Sequence, residues 1–306
     1  MKAALNVGPH RFEVREVPVP DLAEGEVLVR VKATGICGSD KHEFSQARPP
    51  RIAGHEFAGI VEASTGTCFQ PGDRVVADPI TPAGVIGYSR PGGFAEYCAV
   101  PAGSLFSLPE KVSFAEGSLT EPVAVGLHAA SRLPLDDRSV LVLGAGCIGL
   151  LVAQACRVHG AREVWVADIS DTRLSVATQL GFTPINSQRA PELSPLGDDG
   201  VDVVFECVGH VNALLQTALR VVRVHGEIVL LGSGHSAGLA TTPIVDKQLT
   251  IRGSTTTNKD EMREALERLV CGDIAVAPLI SDRFPLDQMN AAFAASLQAQ
   301  KIVVQP

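Results

Sequence analysis

Between residues 123 and 256, short apolar runs alternate with longer segments whose apolar residues recur every three or four positions. The apolar runs predict buried strands at residues 139–144, 163–168, 201–207, 226–232 and 249–253. Segments between them, such as CIGLLVAQACRVHG and VNALLQTALRVVRVHG, have the periodicity of amphipathic helices. Strands that alternate with helices of this length are typical of βαβ units, in which a parallel sheet is covered on both faces.

The first 122 residues have a different pattern, in which short strand-like runs are separated by Gly and Pro turns. This pattern predicts a small β-rich domain, with strands in EVLVRVKATGI, GIVEAST, GDRVVAD and FAEYCAV. A helical pattern follows Glu121. After residue 256 we expect two helices and a final strand, in DEMREALERLVCG, LDQMNAAFAASLQ and KIVVQ. We expect residues 257–306 to pack on residues 1–122, so that residues 123–256 form an inserted domain.

Composition and charge narrow the possible functions. At 306 residues, the chain is long enough for two domains with hydrophobic cores. Its formal net charge of -8 leaves no basic excess to neutralise a phosphate backbone, so nucleic acid is not an expected partner. Neither an apolar run after Lys2 nor a bilayer-spanning stretch is present, so we expect a cytoplasmic protein and no membrane partner. The seven cysteines include no C-x-x-C pair, which argues against a disulfide framework.

A glycine fingerprint formed by Gly144, Gly146 and Gly149 directly follows the predicted strand SVLVLG and precedes a helical segment. In this context, G-x-G-x-x-G indicates a dinucleotide-binding loop, whereas an ordinary tight turn is the alternative. The first glycine permits the turn, the second lets the backbone approach a pyrophosphate, and the third allows close helix packing. The phosphate then meets free N–H groups at the start of the helix, where Cys147 and Ile148 lie.

Asp168 stands 19 residues after Gly149, at the end of the next predicted strand. A carboxylate at this position accepts hydrogen bonds from the adenosine ribose and repels a 2′-phosphate. Ile169, which follows it, supplies no compensating cation. We therefore expect NAD in preference to NADP. Arg173 keeps the alternative open, since it is close enough in sequence to reach the adenine side.

Three candidate metal ligands, Cys37, His55 and Glu56, come from the turn-like segments TGICGSDKH and AGHEFAG. Thiolate and imidazole are natural zinc ligands, and three protein ligands with an open position are typical of a catalytic zinc site. Taken alone, however, a cysteine and a His-Glu pair are more often structural than metal-binding.

The surrounding motifs resemble those of the zinc-containing medium-chain alcohol dehydrogenase family, and within it the polyol or sorbitol dehydrogenase-like branch. The family motif G-H-E-x-x-G stands here at residues 54–59. The match continues along nearly the whole chain, through CGSDKH (37–42), PGDRV (71–75), GGFAEY (92–97), EPVAVGLHA (121–129) and ISDRFPLDQMNAAF (280–293). The resemblance implies an α/β plus β-rich fold: a GroES-like catalytic zinc domain (1–122 and 257–306) with an inserted Rossmann NAD-binding domain (123–256).

The same resemblance implies roles for individual residues. Cys37 and His55 are expected to hold a catalytic zinc directly, and Glu56 is expected to alternate with substrate or water in its coordination shell. Glu121 is the expected fourth ligand, either directly or through water. Asp40 is expected to accept the other ring N–H of His55 and so fix its tautomer.

Ser39 and His42 match the proton-relay positions of the family. Zinc, acting as a Lewis acid, lowers the pKa of a bound alcohol. Ser39 is then expected to accept the proton and pass it through ribose hydroxyls toward His42, while the carbinol hydride moves to the nicotinamide. The alternative for His42 is an exposed histidine at a strand edge.

One segment departs from the family pattern. Many members carry a lobe with four closely spaced cysteines that bind a structural zinc, but residues 78–97 of this chain contain no cysteine. Because isolated Cys68 and Cys98 cannot form such a site, we expect one catalytic zinc per chain and no structural zinc. The missing lobe leaves assembly open, and we expect a homodimer through the edge of the parallel sheet, with a tetramer as the alternative.

Several further positions are expected near the ligands. Val208, Gly232 and Ser233 follow predicted strands at the edge where a doubly wound sheet binds its cofactor. Lys301 is expected to reach the cofactor pyrophosphate, and an ordinary solvated lysine is the alternative. The substrate pocket is expected to be bordered by Phe44, Arg48, Arg51 and Thr255.

Together these residues predict a zinc-dependent, NAD(H)-linked oxidoreductase that interconverts a small secondary alcohol and its ketone. Glu56 and Glu121 match the polyol branch, which favours a sugar alcohol, a cyclitol or a sugar acid over ethanol. Two alternatives remain: a zinc-free quinone-type reductase of the same superfamily, and a non-catalytic nucleotide-sensing protein that keeps the fold.

Overall fold

A computed structural model describes residues 1–46, 50–190, 193–197, 199–209, 212–232 and 239–306. The predictions for Arg48 and Ser233 lie outside these residues. The chain divides into two compact units. The first comprises Met1–Glu121, Met262–Gly272 and Leu279–Pro306, and the second comprises Pro122–Glu261 and Asp273–Pro278.

The strands are numbered in chain order. The first ten belong to the first unit: β1 (Lys2–Gly8), β2 (Arg11–Glu16), β3 (Glu26–Gly35), β4 (Arg51–Ile52), β5 (Glu56–Ser64), β6 (Arg74–Ala77), β7 (Ile80–Thr81), β8 (Gly84–Val85), β9 (Tyr97–Pro101) and β10 (Leu105–Ser107). The second unit contributes β11 (Ser139–Leu143), β12 (Glu163–Asp168), β13 (Thr183–Asn186), β14 (Val201–Glu206), β15 (Val222–Leu230) and β16 (Thr250–Gly253). The chain then returns to the first unit with β17 (Ile280–Pro285) and β18 (Lys301–Gln305).

The α-helices of the described residues are numbered in the same way: α1 (Gly38–Phe44), α2 (Phe114–Gly117), α3 (Thr120–Ser131), α4 (Cys147–Val158), α5 (Asp171–Gln179), α6 (Asn212–Val221), α7 (Thr242–Asp246), α8 (Lys259–Cys271) and α9 (Met289–Ser296). Helices α3 and α8 each continue across a boundary between the two units. Among the described residues, no helix has the length and apolar character needed to cross a membrane.

The first unit is built on a sheet in the order β10-β6-β5-β3-β18-β17, with β9 also paired to β3. Valines that alternate along β3, such as Val27, Val29 and Val31, are buried on one face, as the alternating pattern of this segment predicts. A second core of the same unit contains Phe12, Phe94 and other rings.

Three strand ends of this sheet meet at one place. Gly35, the last residue of β3, pairs with Glu56, the first residue of β5. Strand β18 begins at Lys301 and runs beside β3, and the Ile36 N–H donates to the Ile302 carbonyl at 2.9 Å. Residues 36–37, 55–56 and 301 are therefore neighbours, although they are far apart in the sequence.

The second unit contains a six-stranded parallel sheet in the order β13-β12-β11-β14-β15-β16. Strand β11 is buried at every position, as expected for a strand covered on both faces. The chain moves outward from β11 in one direction and then restarts at β14 on its other side. The carboxyl ends of β11 and β14 thus form the switch point at which doubly wound sheets bind ligands.

The predicted doubly wound sheet is confirmed, with two local differences. Strand β13 was not predicted, because Thr183–Asn186 is short and contains Pro184. Strand β15 begins at Val222 rather than at residue 226. The helix before it ends there because the Lys247 ammonium donates to the carbonyls of Leu219, Arg220 and Val222, at 2.7 to 2.9 Å.

Residues 273–278 were expected in the first domain, but they belong to the second unit. The buried Gln154 side chain on α4 accepts the Ala275 N–H at 2.7 Å and donates to its carbonyl at 3.2 Å. This paired contact satisfies both backbone groups of Ala275 and holds the segment against the parallel-sheet unit.

Candidate metal centre and dinucleotide site

Cys37, His55 and Glu56 form a cluster in the first unit. Their candidate ligand atoms, one sulfur, one ring nitrogen and one carboxylate oxygen, all lie within 4.8 Å of one another. No other group of three or more such side chains lies this close together within the part of the chain that the structure describes. A sulfur, a nitrogen and an oxygen donor suit zinc, so the residues fit the metal that the sequence predicts.

The backbone around the cluster explains how these side chains come together. A Cβ added at Gly35 would overlap the Oε2 of Glu56, so glycine leaves room for this carboxylate beside β3. Gly54, with φ +90°, turns the chain just before His55, and a Cβ there would meet the Phe94 ring at 2.7 Å. The two glycines of this region are thus required by close packing as well as by the turn.

Asp40 contacts two of the candidate ligands, Cys37 and His55. Its Oδ2 accepts the Cys37 N–H at 2.9 Å, at the start of α1, and its Oδ1 lies 3.6 Å from the His55 Nδ1. The buried Nδ1 has no hydrogen-bond partner among the described residues. Burial lowers the pKa of His55, but the charges of Asp40 and Cys37 outweigh it and raise this pKa well above its usual value. The charges of Asp40 and Cys37 therefore favour a positive charge within this cluster, as they would favour a bound cation.

Glu56 is also paired with a lysine. The Lys301 ammonium donates to both carboxylate oxygens of Glu56, at 2.8 and 2.6 Å, and to the Ile36 carbonyl at 3.2 Å. The side chains of Lys301 and Glu56 are 4% and 0% exposed, so the alternative of a solvated lysine is wrong. The predicted contact of Lys301 with a pyrophosphate stays a prediction, while the structure makes this residue part of the metal cluster.

Glu121 lies near the cluster but not within it. It is in the first turn of α3, where the charges of His55, Glu56 and Lys301 act on its carboxyl group. Burial raises the pKa of Glu121 to about 7, because His55 and Lys301 compensate only part of the desolvation. Its role as a fourth ligand stays a prediction.

The predicted relay residues share helix α1. Ser39 is half-buried close to the cluster, and His42 is exposed one turn later, on the same face of the helix. The His42 Nε2 lies 2.8 Å from the Gln46 Nε2. Tyr88, which the sequence analysis did not single out, lies over His55, with ring centroids 5.4 Å apart.

The glycine loop has the conformation that the fingerprint predicts. Gly144 has φ +103°, and a Cβ at Gly149 would overlap the Gly144 carbonyl oxygen. By contrast, no described atom lies within 4 Å of the position that a Cβ on Gly146 would take. Helix α4 begins at Cys147 with no side-chain cap on its first N–H groups. The loop therefore leaves open space at Gly146, beside the start of a helix, where a phosphate binds.

Asp168 lies beside this loop at the end of β12. Its carboxylate accepts the Ala145 N–H at 2.8 Å and the Ser170 N–H at 2.9 Å. The Arg173 guanidinium is 4.0 Å from the same carboxylate. A cavity of about 380 Å³ opens at these residues, with the side chains of Ile169 and Val208, Gly144 and hydrophobic residues of α6 among its lining.

The remaining predicted residues lie in four settings. Gly232 packs on the loop after β14, since a Cβ there would overlap the Gly209 N–H. Phe44 stacks on Phe12 at 5.0 Å against the core of the first unit, and its place beside the substrate pocket stays a prediction. Arg51 lies over the Tyr88 ring, and Thr255 is exposed after β16.

Cys68 and Cys98, outside the cluster, lie in different settings. Burial raises the pKa of the Cys98 thiol to about 12, and its Sγ donates to the Pro91 carbonyl at 3.4 Å. Cys68 is exposed on a different turn. The expected absence of a structural zinc site stays a prediction.

Known proteins share both units with this chain. A family model of the alcohol dehydrogenase GroES-like domain matches residues 23–110, and one of the zinc-binding dehydrogenases matches residues 147–270. Sorbitol dehydrogenase of Bacillus subtilis (strain 168) is 32% identical, over 100% of this chain and 97% of that protein. The chain belongs to the zinc-binding dehydrogenase family. The predicted relation to the medium-chain, polyol dehydrogenase-like branch is confirmed.

Two solved structures extend the likeness to this family's three-dimensional fold. An alcohol dehydrogenase from E. coli CFT073, complexed with NADH, has a TM-score of 0.92 and 28% identity. A zinc-binding dehydrogenase-type protein from Sinorhizobium meliloti 1021, bound to NADP, has a TM-score of 0.91 and 29% identity. Each likeness covers 100% of this chain and 99% of the other. The predicted GroES-like and Rossmann-like architecture is confirmed.

Two contacts of the metal region were not predicted from the sequence. Tyr88 comes from the segment that was noticed for its lack of cysteine, and a lone tyrosine in a loop gives no signal of its own. For Lys301, the sequence predicts a contact with the cofactor pyrophosphate and gives no sign of the pairing with Glu56. The start of the last predicted strand gave its position, but its pairing with Glu56 depends on the order of strands in the sheet.

Proposed function

We propose that this family member is a zinc-dependent, NAD(H)-linked dehydrogenase that interconverts a secondary alcohol and its ketone. The observation that carries this proposal is the cluster of Cys37, His55 and Glu56, whose ligand atoms lie within 4.8 Å of one another. The polyol, cyclitol or sugar-acid class is favoured by Glu56 and Glu121, and by the sorbitol dehydrogenase relative.

The chemistry would be divided between bound groups and protein side chains. When bound, zinc supplies the Lewis acidity that makes an alcohol proton labile, and the nicotinamide supplies the hydride acceptor. Cys37, His55 and Glu56 would hold the metal, with Glu121 as an additional carboxylate. Lys301 orients the Glu56 carboxylate through two hydrogen bonds within the buried interior.

Proton transfer would use helix α1. Ser39 is half-buried near the ligands, so its hydroxyl would accept the proton of the alcohol while it passes its own proton on toward His42. His42 lies one helical turn further along on the solvent side and delivers the proton to water. Asp40 orients the start of this helix through the Cys37 N–H. Ser39 and His42 would thus transfer the proton, and Asp40 would orient the helix that carries them.

NAD would be preferred to NADP. The buried Asp168 carboxylate shares a cavity with the glycine loop, and its negative charge disfavours a 2′-phosphate. Arg173, 4.0 Å away, already has this carboxylate as a partner, so it is a weakened phosphate site. Gly146 and the first N–H groups of α4 would bind the pyrophosphate.

One zinc per chain and a homodimer complete the proposal. Residues 78–97 contain no cysteine and the buried Cys98 thiol beside them is protonated, so we expect no second metal there. Strand β16 is the edge of the six-stranded sheet and pairs with β15 on one side. Light scattering on the purified chain measures assembly, and a monomer would exclude dimerisation through this edge.

The proposed activity is tested by dialysis against a chelator. The untreated protein should reduce NAD with at least one polyol, inositol, aldonate or secondary alcohol, and it should contain about one zinc per chain. Dialysis should abolish turnover, and added zinc should restore it. Turnover that survives metal removal would instead indicate a zinc-free reductase, and dinucleotide binding without any turnover would indicate a nucleotide-sensing protein.

A further inference from the structure

Glu206 is a buried carboxylate that was not predicted to be a site residue. It is the last residue of β14, at the switch point of the parallel sheet, and it is 5% exposed. A carboxylate is rarely buried to this extent unless hydrogen bonds compensate for the water that it loses. Its hydrogen-bond partners therefore indicate which part of the molecule it stabilises.

The side chain of Glu206 binds the backbone that directly follows it. Its Oε1 accepts the Val208 N–H at 2.8 Å and the Gly209 N–H at 2.9 Å. Gly209 has φ +70°, a conformation that glycine adopts without strain. Both N–H groups therefore reach the same carboxylate oxygen, and this oxygen fixes the turn formed by residues 207–209.

The backbone of Glu206 binds the end of the neighbouring strand. Its carbonyl accepts the Leu231 N–H at 2.9 Å and the Gly232 N–H at 3.1 Å. Gly232 also packs on the turn, since a Cβ there would overlap the Gly209 N–H and lie 2.7 Å from the Oε2 of Glu206. One residue thus joins the chain segments that follow β14 and β15.

The turn at residues 207–209 places the Val208 side chain at the dinucleotide cavity. Val208 lines the cavity of about 380 Å³ together with Gly144 and Asp168. A Cβ on Gly144 would be 2.6 Å from the Cγ2 of Val208, so this side chain packs directly on the first glycine of the fingerprint. Val208 is nevertheless 46% exposed, which leaves an apolar surface available to a ligand. The position of this surface depends on the turn that Glu206 fixes.

We propose that Glu206 is a positioning residue for the dinucleotide, whose carboxylate holds the turn at residues 207–209 so that Val208 forms one wall of the cavity beside Gly144. This inference rests on the dinucleotide site of the proposed function. A turn that is already fixed loses less conformational freedom when a ligand binds, which strengthens the affinity. Glu206 acts through the two N–H groups and does not itself contact the dinucleotide.

The effect of Glu206 on the turn is tested without cofactor, by amide hydrogen exchange followed by NMR. Glu206→Met has a side chain of similar length without an acceptor, so exchange of the Val208 and Gly209 N–H groups should become about tenfold faster or more. In Glu206→Gln, whose side-chain oxygen still accepts both, exchange should stay close to that of the wild type. The Val204 N–H, inside β14, is the reference. Unchanged exchange in Glu206→Met would overturn the proposal.

The positioning role is tested by titration with NADH, followed by its fluorescence. Glu206→Met should raise the Kd for NADH about tenfold, whereas Glu206→Gln should change it less than about twofold. Asp202→Asn, at the opposite end of the same strand, alters a buried carboxylate that is hydrogen-bonded to Ser139 and should leave the Kd unchanged. An unchanged Kd in Glu206→Met would overturn the role. Equal losses in the Met and Gln variants would also overturn it, because they would assign the effect to charge.

A double variant tests whether Glu206 acts through Val208. Val208→Ala should raise the Kd for NADH about threefold in the wild type, and by a smaller factor in Glu206→Met, where the wall is already displaced. Fully multiplicative losses would show that the two residues act independently and would overturn the positioning role. A wild type that binds neither NADH nor NADPH overturns the proposed function instead, and hydrogen exchange still decides whether Glu206 holds the turn.

Discussion

The metal cluster and the glycine loop differ in the chemical groups that form them. The cluster consists of side chains, and its charges are balanced in a buried interior by Asp40 and Lys301. The loop consists mainly of backbone, with open space at Gly146 and N–H donors at the start of α4. Removing one side chain should therefore break the first site, whereas the second should break only when a Cβ is added.

This difference also predicts how each site responds to amino-acid substitution. The buried pair of Lys301 and Glu56 has three hydrogen bonds from one ammonium, so each partner depends on the other. In the loop, Asp168 contributes a side chain, but it acts by accepting the Ala145 N–H. A site of coupled charges fails as a unit, and a backbone site fails at single positions.

The largest effect is expected at Cys37. Cys37→Ser replaces the thiolate ligand and should abolish bound zinc and lower kcat by about a thousandfold or more, since Lewis acidity supplies several kcal/mol. Metal analysis and NAD reduction measure this. Cys68→Ser, at an exposed position, is the matched control and should retain both properties. A Cys37→Ser protein that keeps its zinc and rate would contradict the side-chain account of this site.

A large effect on stability is expected at Lys301. Lys301→Met leaves the buried Glu56 carboxylate without its cation and should destabilise the metal-free protein by about 3–5 kcal/mol. Urea unfolding after zinc removal measures it. Adding Glu56→Gln to the same chain removes the stranded charge and should restore much of the loss. If the double variant were no more stable than the single one, the two side chains would not be coupled.

The glycine loop provides a paired test. Gly149→Ala places a Cβ on the Gly144 carbonyl oxygen and should destabilise the second unit by about 1–3 kcal/mol. Gly146→Ala meets no described atom, so it should fold normally and raise the KM for NAD about tenfold by blocking the pyrophosphate. Thermal unfolding and NAD titration separate the two. Equal NAD binding in Gly146→Ala and the wild type would place the pyrophosphate elsewhere.

The smallest effect is expected at the opposite end of the parallel sheet, where Asp202 accepts two hydrogen bonds from Ser139, at 2.6 and 2.8 Å. Burial raises the pKa of Asp202, but these bonds and the Arg223 charge outweigh it, so the folded pKa is lowered. A lowered folded pKa stabilises above the unfolded value of about 3.9 and loses this effect as the pH falls through the folded value.

Asp202→Asn should therefore cost about 1–2 kcal/mol at pH 7, and the difference from the wild type should close below about pH 4. Unfolding midpoints across pH measure this. Kinetic constants should stay unchanged, since Asp202 lies away from the carboxyl ends of the strands. A loss that persists undiminished at low pH would show that shape, and not charge, is responsible.

The parallel-sheet unit was the easier part to predict from sequence. Buried parallel strands such as β11 and β14 are continuous apolar runs, and their helices have a clear period. Strand β13 was missed because it lies at the sheet edge, where Pro184 and polar residues are tolerated. The end of α6 also depended on a distant residue, because the Lys247 ammonium donates to carbonyls 25 to 28 residues away.

The sequence by itself determined the glycine loop, the following Asp168 and the motif residues Cys37, His55 and Glu56. Each of these features belongs to a short, contiguous sequence motif, so neighbouring residues suffice to identify it. The tertiary structure alone decided that Lys301 pairs with Glu56 and that Tyr88 lies over His55. Those contacts join residues 245 and 33 positions apart, and only the pairing of strand ends and the packing of one turn bring them together.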